Sequence, residues 1–360
     1  MFRSKLWSKL IPYPILFAKS RLDHMVMLYD VGHGDCVLLM DRYHRGLLVD
    51  CGTIRPKLHA QVPEMIENIL PMNNECGFIV SHYHFDHYSL FKFLRRPELI
   101  FSKVYVPDLP TTGPGREAVQ AIKSYLIAAV LTDYSYYRIL PEISERVRQP
   151  ITPCRKGEYI KESGLNLKVL WPDLSHPILG NRKIINIASE VRTRIEPFLN
   201  RHNITIPSGE ETEYSALEQF LGKLMDLRYR EVLSEEREEA HRILGDIEGS
   251  FKSLANLFSL VVNTHRKRSS RFLFLGDIDD SILDQIQIPG KRYYNCLKSA
   301  HHGTYFGKAL RNISAEFILV SRNQKEFQSS GKIHDGYISN IDYRIILSTE
   351  FLGHCCIYPY

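Results

Sequence analysis

Residues 81–87 read Ser-His-Tyr-His-Phe-Asp-His, so His82, His84, Asp86 and His87 bring three imidazoles and a carboxylate within six positions. Imidazole nitrogen and carboxylate oxygen are the usual protein ligands of zinc, and they also suit iron and manganese. In an extended segment, side chains two apart share a face, which places His82 and His84 to clamp one metal ion. Asp86 and His87 follow where the chain is expected to turn into a helix, directed at a second ion beside the first. A polar loop with chance histidines would account for one such residue, but accounts for four together poorly.

Two later stretches offer complementary groups. In FLFLGDID (272–279), Asp277 follows an apolar strand and a glycine, where a carboxylate could bridge two ions. Alone this is weak, because many ordinary turns look the same. In SAHHG (299–303), His301 and His302 end another expected strand. Neighbouring strand residues face opposite ways, so one of the two completes a metal shell and the other meets substrate or leaving group. We assign His302 to the metal and His301, with Asp86, to catalysis; the reverse order of the two histidines stays open. Asp30 and Asp35 flank Gly32-His33-Gly34 and are candidates for the hydrogen bonds that orient ligand histidines, although Asp35 serves equally well as a turn former.

These groups need a scaffold that brings distant strand ends together. Short apolar runs at 25–31, 36–40 and 46–51 are separated by turn sequences and read as strands. A helix over 62–70 follows, then a buried strand within 77–84, helical spacing over 86–96 and a strand at 102–108. Alternating strands and helices indicate an α/β layered architecture. The chain turns helical over 116–148 and forms a hairpin over 157–171. Residues 178–250 are polar and charge-rich with helical runs, and read as a helical insertion within one domain spanning 1–360; its mixed charges read as a solvated helix face with i,i+4 pairs. Strands resume at 258–265, 272–279, 295–303, 316–321 and 343–348.

At 360 residues, 44% apolar and 24% charged, the chain can bury a sizeable core. A net charge of +5 permits an anionic partner without demanding one. Seven scattered cysteines, an odd number with no CxxC, suit a reduced chain and argue for a cytoplasmic setting rather than a disulfide framework. The N-terminal stretch has basic residues and an apolar run broken by two prolines; it reads as a peripheral or edge segment rather than a signal peptide. No apolar run is long enough for a membrane span.

The combination HxHxDH, a later GD after a strand and a late His resembles the metallo-β-lactamase fold, and more closely the metallo-β-lactamase-like domain of competence DNA-uptake (ComEC-type) proteins and their soluble relatives. The stretches that carry the resemblance are DVGHGDC (30–36), LLVDCG (47–52), GEYIKESGLNLKVLWP (157–172), NLFSLVV (256–262), FLFLGD (272–277), LKSAHHGT (297–304) and, in the tail, SRNQ (321–324), KIHDG (332–336) and TEFLG (349–353). They cover most of the chain outside 110–150 and 178–250. The resemblance implies an αββα sandwich carrying the helical insertion, and a dinuclear site for two divalent ions, with zinc expected and manganese or iron as alternatives. Two departures stand out. A further histidine that many family members supply to the first ion has only weak counterparts in His176 and His265, and the tail reads HDG where the family has HP. By the same resemblance, His33 replaces a residue often Gln and could face substrate, and His334 is a candidate for the pocket lining.

Such a site would activate water for hydrolysis. Three readings compete: a phosphodiesterase acting on nucleic acid or a nucleotide, favoured by the resemblance, the +5 charge and the basic stretch THRKRSSR (264–271); a hydrolase of a small ester, lactone or thioester; and a non-catalytic metal-binding module. The insertion is a candidate lid, homodimer surface or docking site for a protein partner.

Overall fold

The computed structural model describes residues 15–20, 22–70, 76–96, 101–206, 213–264, 271–288, 293–322, 333–339 and 343–359. Its strands form two mixed sheets. The first contains β1 (Ile15–Ser20), β2 (His24–Leu28), β3 (Cys36–Asp41), β4 (Gly46–Cys51), β5 (Cys76–Ile79), β6 (Lys103–Pro107) and β7 (Thr152–Cys154). The second contains β8 (Tyr159–Glu162), β9 (Leu165–Trp171), β10 (Val261–Thr264), β11 (Phe272–Phe274), β12 (Tyr293–Lys298), β13 (Ser314–Val320) and β14 (Tyr343–Ser348). The last strand, β15 (His354–Pro359), returns to the first sheet, whose order is β1-β15-β2-β3-β4-β5-β6-β7. The second sheet runs β14-β13-β12-β11-β10-β9-β8.

The period-2 alternation of the strands sorts their side chains into two cores. In β3, Val37 and Leu39 join one apolar cluster while Cys36, Leu38 and Met40 join another. In β13, Phe317 and Leu319 divide in the same way from Ile318 and Val320. Among the described residues, the buried members of the cluster holding Val37, Leu39, Phe317 and Leu319 come from strands and the turns beside them in both sheets, so the sheets face one another across it. The other cluster adds helical residues, which cover the outer faces. The result is an α/β sandwich. Burying each such Val, Leu or Phe contributes about 1.5–3 kcal/mol.

The helix Arg116–Leu131 carries apolar residues around nearly its whole circumference, including Ile122, Tyr125 and Leu126, all fully buried. A helix apolar all round must be covered on every side. Here the cover comes from Arg182–Arg201, Glu213–Arg228 and Ser234–Leu257, which all contact it. The helical stretch expected over 178–250 comprises the helices Arg182–Arg201, Glu213–Arg228 and Ser234–Leu257, an outer layer whose apolar side is buried and whose charged side is exposed.

Several boundaries differ from the sequence reading. Residues 86–96 form two short 3₁₀ segments, Phe85–His87 and Ser89–Phe93, rather than one regular helix. The cause is contact: a Cβ on Gly52 would lie 2.3 Å from the Asp86 carbonyl oxygen and 2.4 Å from the Tyr88 nitrogen, so the turn after β4 presses on this backbone. The helix Glu213–Arg228 stops before Tyr229, and a five-residue break precedes Ser234. The N-terminal edge segment is β1, parallel to β15, a pairing between chain ends that local pattern cannot reveal. All seven cysteines are free and buried. Among the described residues no helix is long and apolar enough to cross a membrane.

Candidate metal centre

Five segments meet at one end of the sandwich: the turn before β3, the residue that bulges at the end of β4, the loop after β5, the turn after β11 and the turn after β12. Each supplies a buried polar side chain. Donor atoms of His82, Asp86 and His87 lie within 4.8 Å of one another, as do those of His87, Asp277 and His302, and those of His33, Asp86 and His302. The triads share Asp86, His87 and His302, so they form one continuous centre. His87 Nε2 is 3.4 Å from Asp277 Oδ2, and His302 Nε2 lies 3.6 Å from Asp277 Oδ2 and 4.0 Å from Asp86 Oδ2.

The turns that aim these groups use left-handed backbone. Gly276 has φ +54°, which releases Asp277 from the line of β11. His301 and His302 both adopt left-handed backbone, φ +43° and +54°, within a 3₁₀ turn rather than at a strand end. The opposite-faces argument for this pair therefore fails, and the turn itself separates them: His302 is buried against Asp277, while the His301 side chain stays 28% exposed, 3.9 Å from Asp277 and beside Tyr305. Left-handed backbone at two consecutive non-glycine residues costs of order 1–3 kcal/mol each and is typical of functional turns.

The electrostatics are one-sided. Asp35, Asp50, Asp86 and Asp277 are each no more than 3% exposed, and the buried ammonium beside them is Lys298, 2.7 Å from Asp35 Oδ1. Burial raises the Asp86 and Asp277 carboxyls, but neighbouring imidazoles (His84 and His87 for Asp86; His302, His87 and His301 for Asp277) hold both well below the ordinary range. Burial alone would lower His87, yet Asp50, Asp277 and Asp86 around it raise it well above an ordinary imidazole. Burial pushes His82 and His302 well below it, and His33 down to about 4, so these three are lone-pair donors. Among the described residues several inward atoms have no hydrogen-bond partner, among them Nε2 of His82, His87 and His302 and Oδ1 of Asp277. Orphaned buried groups of this kind carry a large desolvation cost unless charge compensates it. Imidazole nitrogens and carboxylate oxygens this close together fit divalent ions.

The sequence-derived residues fare unequally. His82, Asp86, His87, Asp277 and His302 converge. His84 stands to one side: its ring centroid is 6.2 Å from that of His82, its Nδ1 contacts Asp86 Oδ1, and its Nε2 is 3.8 Å from Glu248. A paired clamp by His82 and His84, which the i,i+2 rule suggests, is not the arrangement seen, because residues 82–84 are bends rather than extended strand. His33 is drawn in, its ring 4.3 Å from that of His302, and Asp35 sits 3.8 Å from His302 Nδ1. Asp30 is committed to its own turn: it accepts from the Gly32 amide, and its amide donates to His354. His334 is exposed, accepts from the Gly336 amide and stacks on Phe306. His176 caps Ile178, away from the centre, and His265 lies outside the described residues.

Four contributors escape a motif reading. Asp50 accepts from the Ser81 amide at 2.7 Å and faces His87 Nδ1 at 2.9 Å, fixing that ring. The Ser81 hydroxyl lies 3.2 Å from His82 Nδ1 and 3.1 Å from His87 Nδ1. Lys298 pairs with Asp35, and Glu248 reaches His84 from the helix Ser234–Leu257. Asp50 and Lys298 stand inside the LLVDCG and LKSAHHGT stretches; Glu248 has no local signal. Compared with protein-family models and with curated proteins, the chain finds no match in either.

Proposed function

We propose that this chain is a metal-dependent hydrolase of the metallo-β-lactamase fold, nearest in motif to ComEC-type domains, that activates water at a pair of divalent ions and acts on phosphodiester bonds. The observation that carries the reading is the continuity of the three ligand triads through Asp86, His87 and His302, around carboxylates that one ammonium does not balance. The two facing sheets with helices outside are the layering that such a fold requires.

His87, through the nitrogen that Asp50 leaves free, would hold one ion with Asp277 and His302, and His82 and Asp86 would stand beside it for the second. Zinc is the expected metal, with manganese or iron as alternatives, because the donors are nitrogen and carboxylate oxygen. Bound there, the ions supply a nucleophile at neutral pH and neutralise charge that develops on oxygen. The chain's own residues do the rest. Asp50 and Ser81 fix the ligand rings. Asp86, shared by two triads, orients the attacking group. His301, partly exposed beside Asp277, meets the substrate and serves the leaving oxygen as a proton donor. The +5 net charge suits an anionic substrate.

The test is metal content per chain, followed by hydrolysis of bis-p-nitrophenyl phosphate and of p-nitrophenyl acetate with and without chelator. Two equivalents of metal and chelator-sensitive cleavage of the phosphodiester, lost in His82→Ala and Asp277→Ala, are expected. Cleavage of the acetate alone would move the substrate to small esters. Absence of bound metal after zinc or manganese supplementation would leave an interaction module.

A further inference from the structure

The helix Ser234–Leu257 lies in a region whose sequence carries no motif of its own, yet it reaches the metal centre. Its Glu248 places Oε1 3.8 Å from His84 Nε2, while the opposite nitrogen of that ring, Nδ1, faces Asp86. The ring therefore lies between a carboxylate inside the centre and a carboxylate outside it. The outer one is held on two further sides: Lys252 Nζ is 3.1 Å from Glu248 Oε1, one helical turn on, and the Tyr134 hydroxyl donates to Oε2 at 3.3 Å. Burial would raise Glu248, but the contacts with His84 and Lys252 outweigh it and leave the carboxyl at about 2. The helix is fixed at this height by buried Leu244, Ile247 and Phe251, the last stacked 3.9 Å from the Tyr125 ring.

We infer that Glu248 is a positioning residue for His84: when an ion takes the place of the Nδ1–Asp86 contact, Glu248 accepts the Nε2 proton and so leaves the Nδ1 lone pair for that ion. The inference rests on the dinuclear reading above and extends it, because it gives the helical region a defined part in the site. A metal-ligating imidazole commonly donates its other N–H to a carboxylate, which sets the tautomer and increases ligand basicity. At 3.8 Å the contact is an ion-pair distance rather than a hydrogen bond, and such contacts tighten when the ligand is engaged. The geometry also shows how a side chain that stands apart from His82 can still belong to the centre: it approaches through Nδ1, from the side of the helix. Metal affinity thereby becomes sensitive to the seating of the helix on Arg116–Leu131.

The experiment is zinc titration against a chromophoric chelator for the wild-type chain, Glu248→Gln and the surface control Glu196→Gln, with melting curves in chelator and absorption spectra of the cobalt-loaded proteins. Glu248→Gln keeps the size of the side chain and removes its charge. About 10–100-fold weaker zinc binding is expected at one site, with a shifted cobalt spectrum, while Glu196→Gln behaves as wild type. Unchanged affinity and spectrum in Glu248→Gln, beside a wild type that binds zinc, overturns the role of Glu248 alone. So does a lower melting point in chelator with affinity unchanged, which marks a purely structural contact. A wild type that binds no zinc overturns the dinuclear reading, and this inference with it.

Discussion

Replacing Lys298 with methionine removes a buried cation and strands a buried anion. Lys298 and Asp35 are 4% and 3% exposed, with Nζ and Oδ1 2.7 Å apart. Burial pushes the Asp35 carboxyl up from 3.8 to about 6, even with Lys298 and His87 opposing it. That displacement is worth about 3 kcal/mol of disfavoured ionisation in the folded chain. Removing one partner of a buried pair costs about 3–5 kcal/mol. A cavity of about 10 Å³ lined by Asp35, Asp50, Ser81 and Lys298 admits roughly one water, which places the expectation at the lower end, near 3 kcal/mol. The sign in pH follows from the raised carboxyl. Its protonated form is the one that folding favours, so stability is fully present below about 4 and falls as pH rises through about 6. Without Lys298 the carboxyl rises further, so the deficit of Lys298→Met is small at pH 5 and full at pH 8. Urea unfolding followed by circular dichroism, in chelator at both pH values, measures it. The double variant Lys298→Met/Asp35→Asn should recover most of the loss. An equal deficit at both pH values, or a double variant no more stable than Lys298→Met, would refute the reasoning.

Gly52→Ala should weaken zinc binding at least tenfold and lower the melting temperature, because the new methyl meets the Asp86 carbonyl oxygen at 2.3 Å and displaces the ligand loop. Zinc titration and a thermal melt check both effects. His302→Ala should lose one metal equivalent, while His301→Ala should keep both and lose about 10²–10⁴-fold in turnover, as expected for a proton donor; metal analysis beside rate measurement separates them. Phe317→Ala, which empties part of the core between the sheets, should cost about 3–5 kcal/mol in urea unfolding while leaving zinc stoichiometry intact.

The buried His and Asp cluster is legible in the sequence because its residue types and spacing are local. Four donor residues in six positions have little structural use apart from a shared ligand, and glycine beside Asp277 and His302 marks the turns that aim them. The strands around them are legible because their apolar runs are short and bounded by turn residues. What stays hidden depends on distance along the chain. Asp50 reads as the polar end of an apolar strand until β4 and β5 lie side by side and bring Ser81 and His87 to it. Glu248 is one acidic residue among many on a charged helix; only the seating of that helix on Arg116–Leu131 selects it. For the twin histidines, the alternation rule of a strand does not hold in a left-handed turn.

Strand direction accounts for where the donors assemble. β4 pairs parallel to β5 with Val49 opposite Ile79, so Asp50 and the Ser81–His87 loop leave the first sheet at one edge. β11 pairs parallel to β12 with Phe274 opposite Lys298, so Asp277 and the His301–His302 turn leave the second sheet together. The amide of Leu260 donates to the Ser81 carbonyl at 2.7 Å and that of His301 to the Gly276 carbonyl at 3.0 Å, the first contact tying the two sheets and the second tying the two turns at that edge. Carboxyl ends of parallel strands are where open α/β sheets place their ligand sites. Because side chains alternate, a slip of one residue in β4 would turn Asp50 away from His87 and move Val49 out of the core between the sheets. The apolar interior and the geometry of the buried His and Asp cluster are therefore set by the same register, and a chain that buries its core correctly has no separate freedom to misplace these groups.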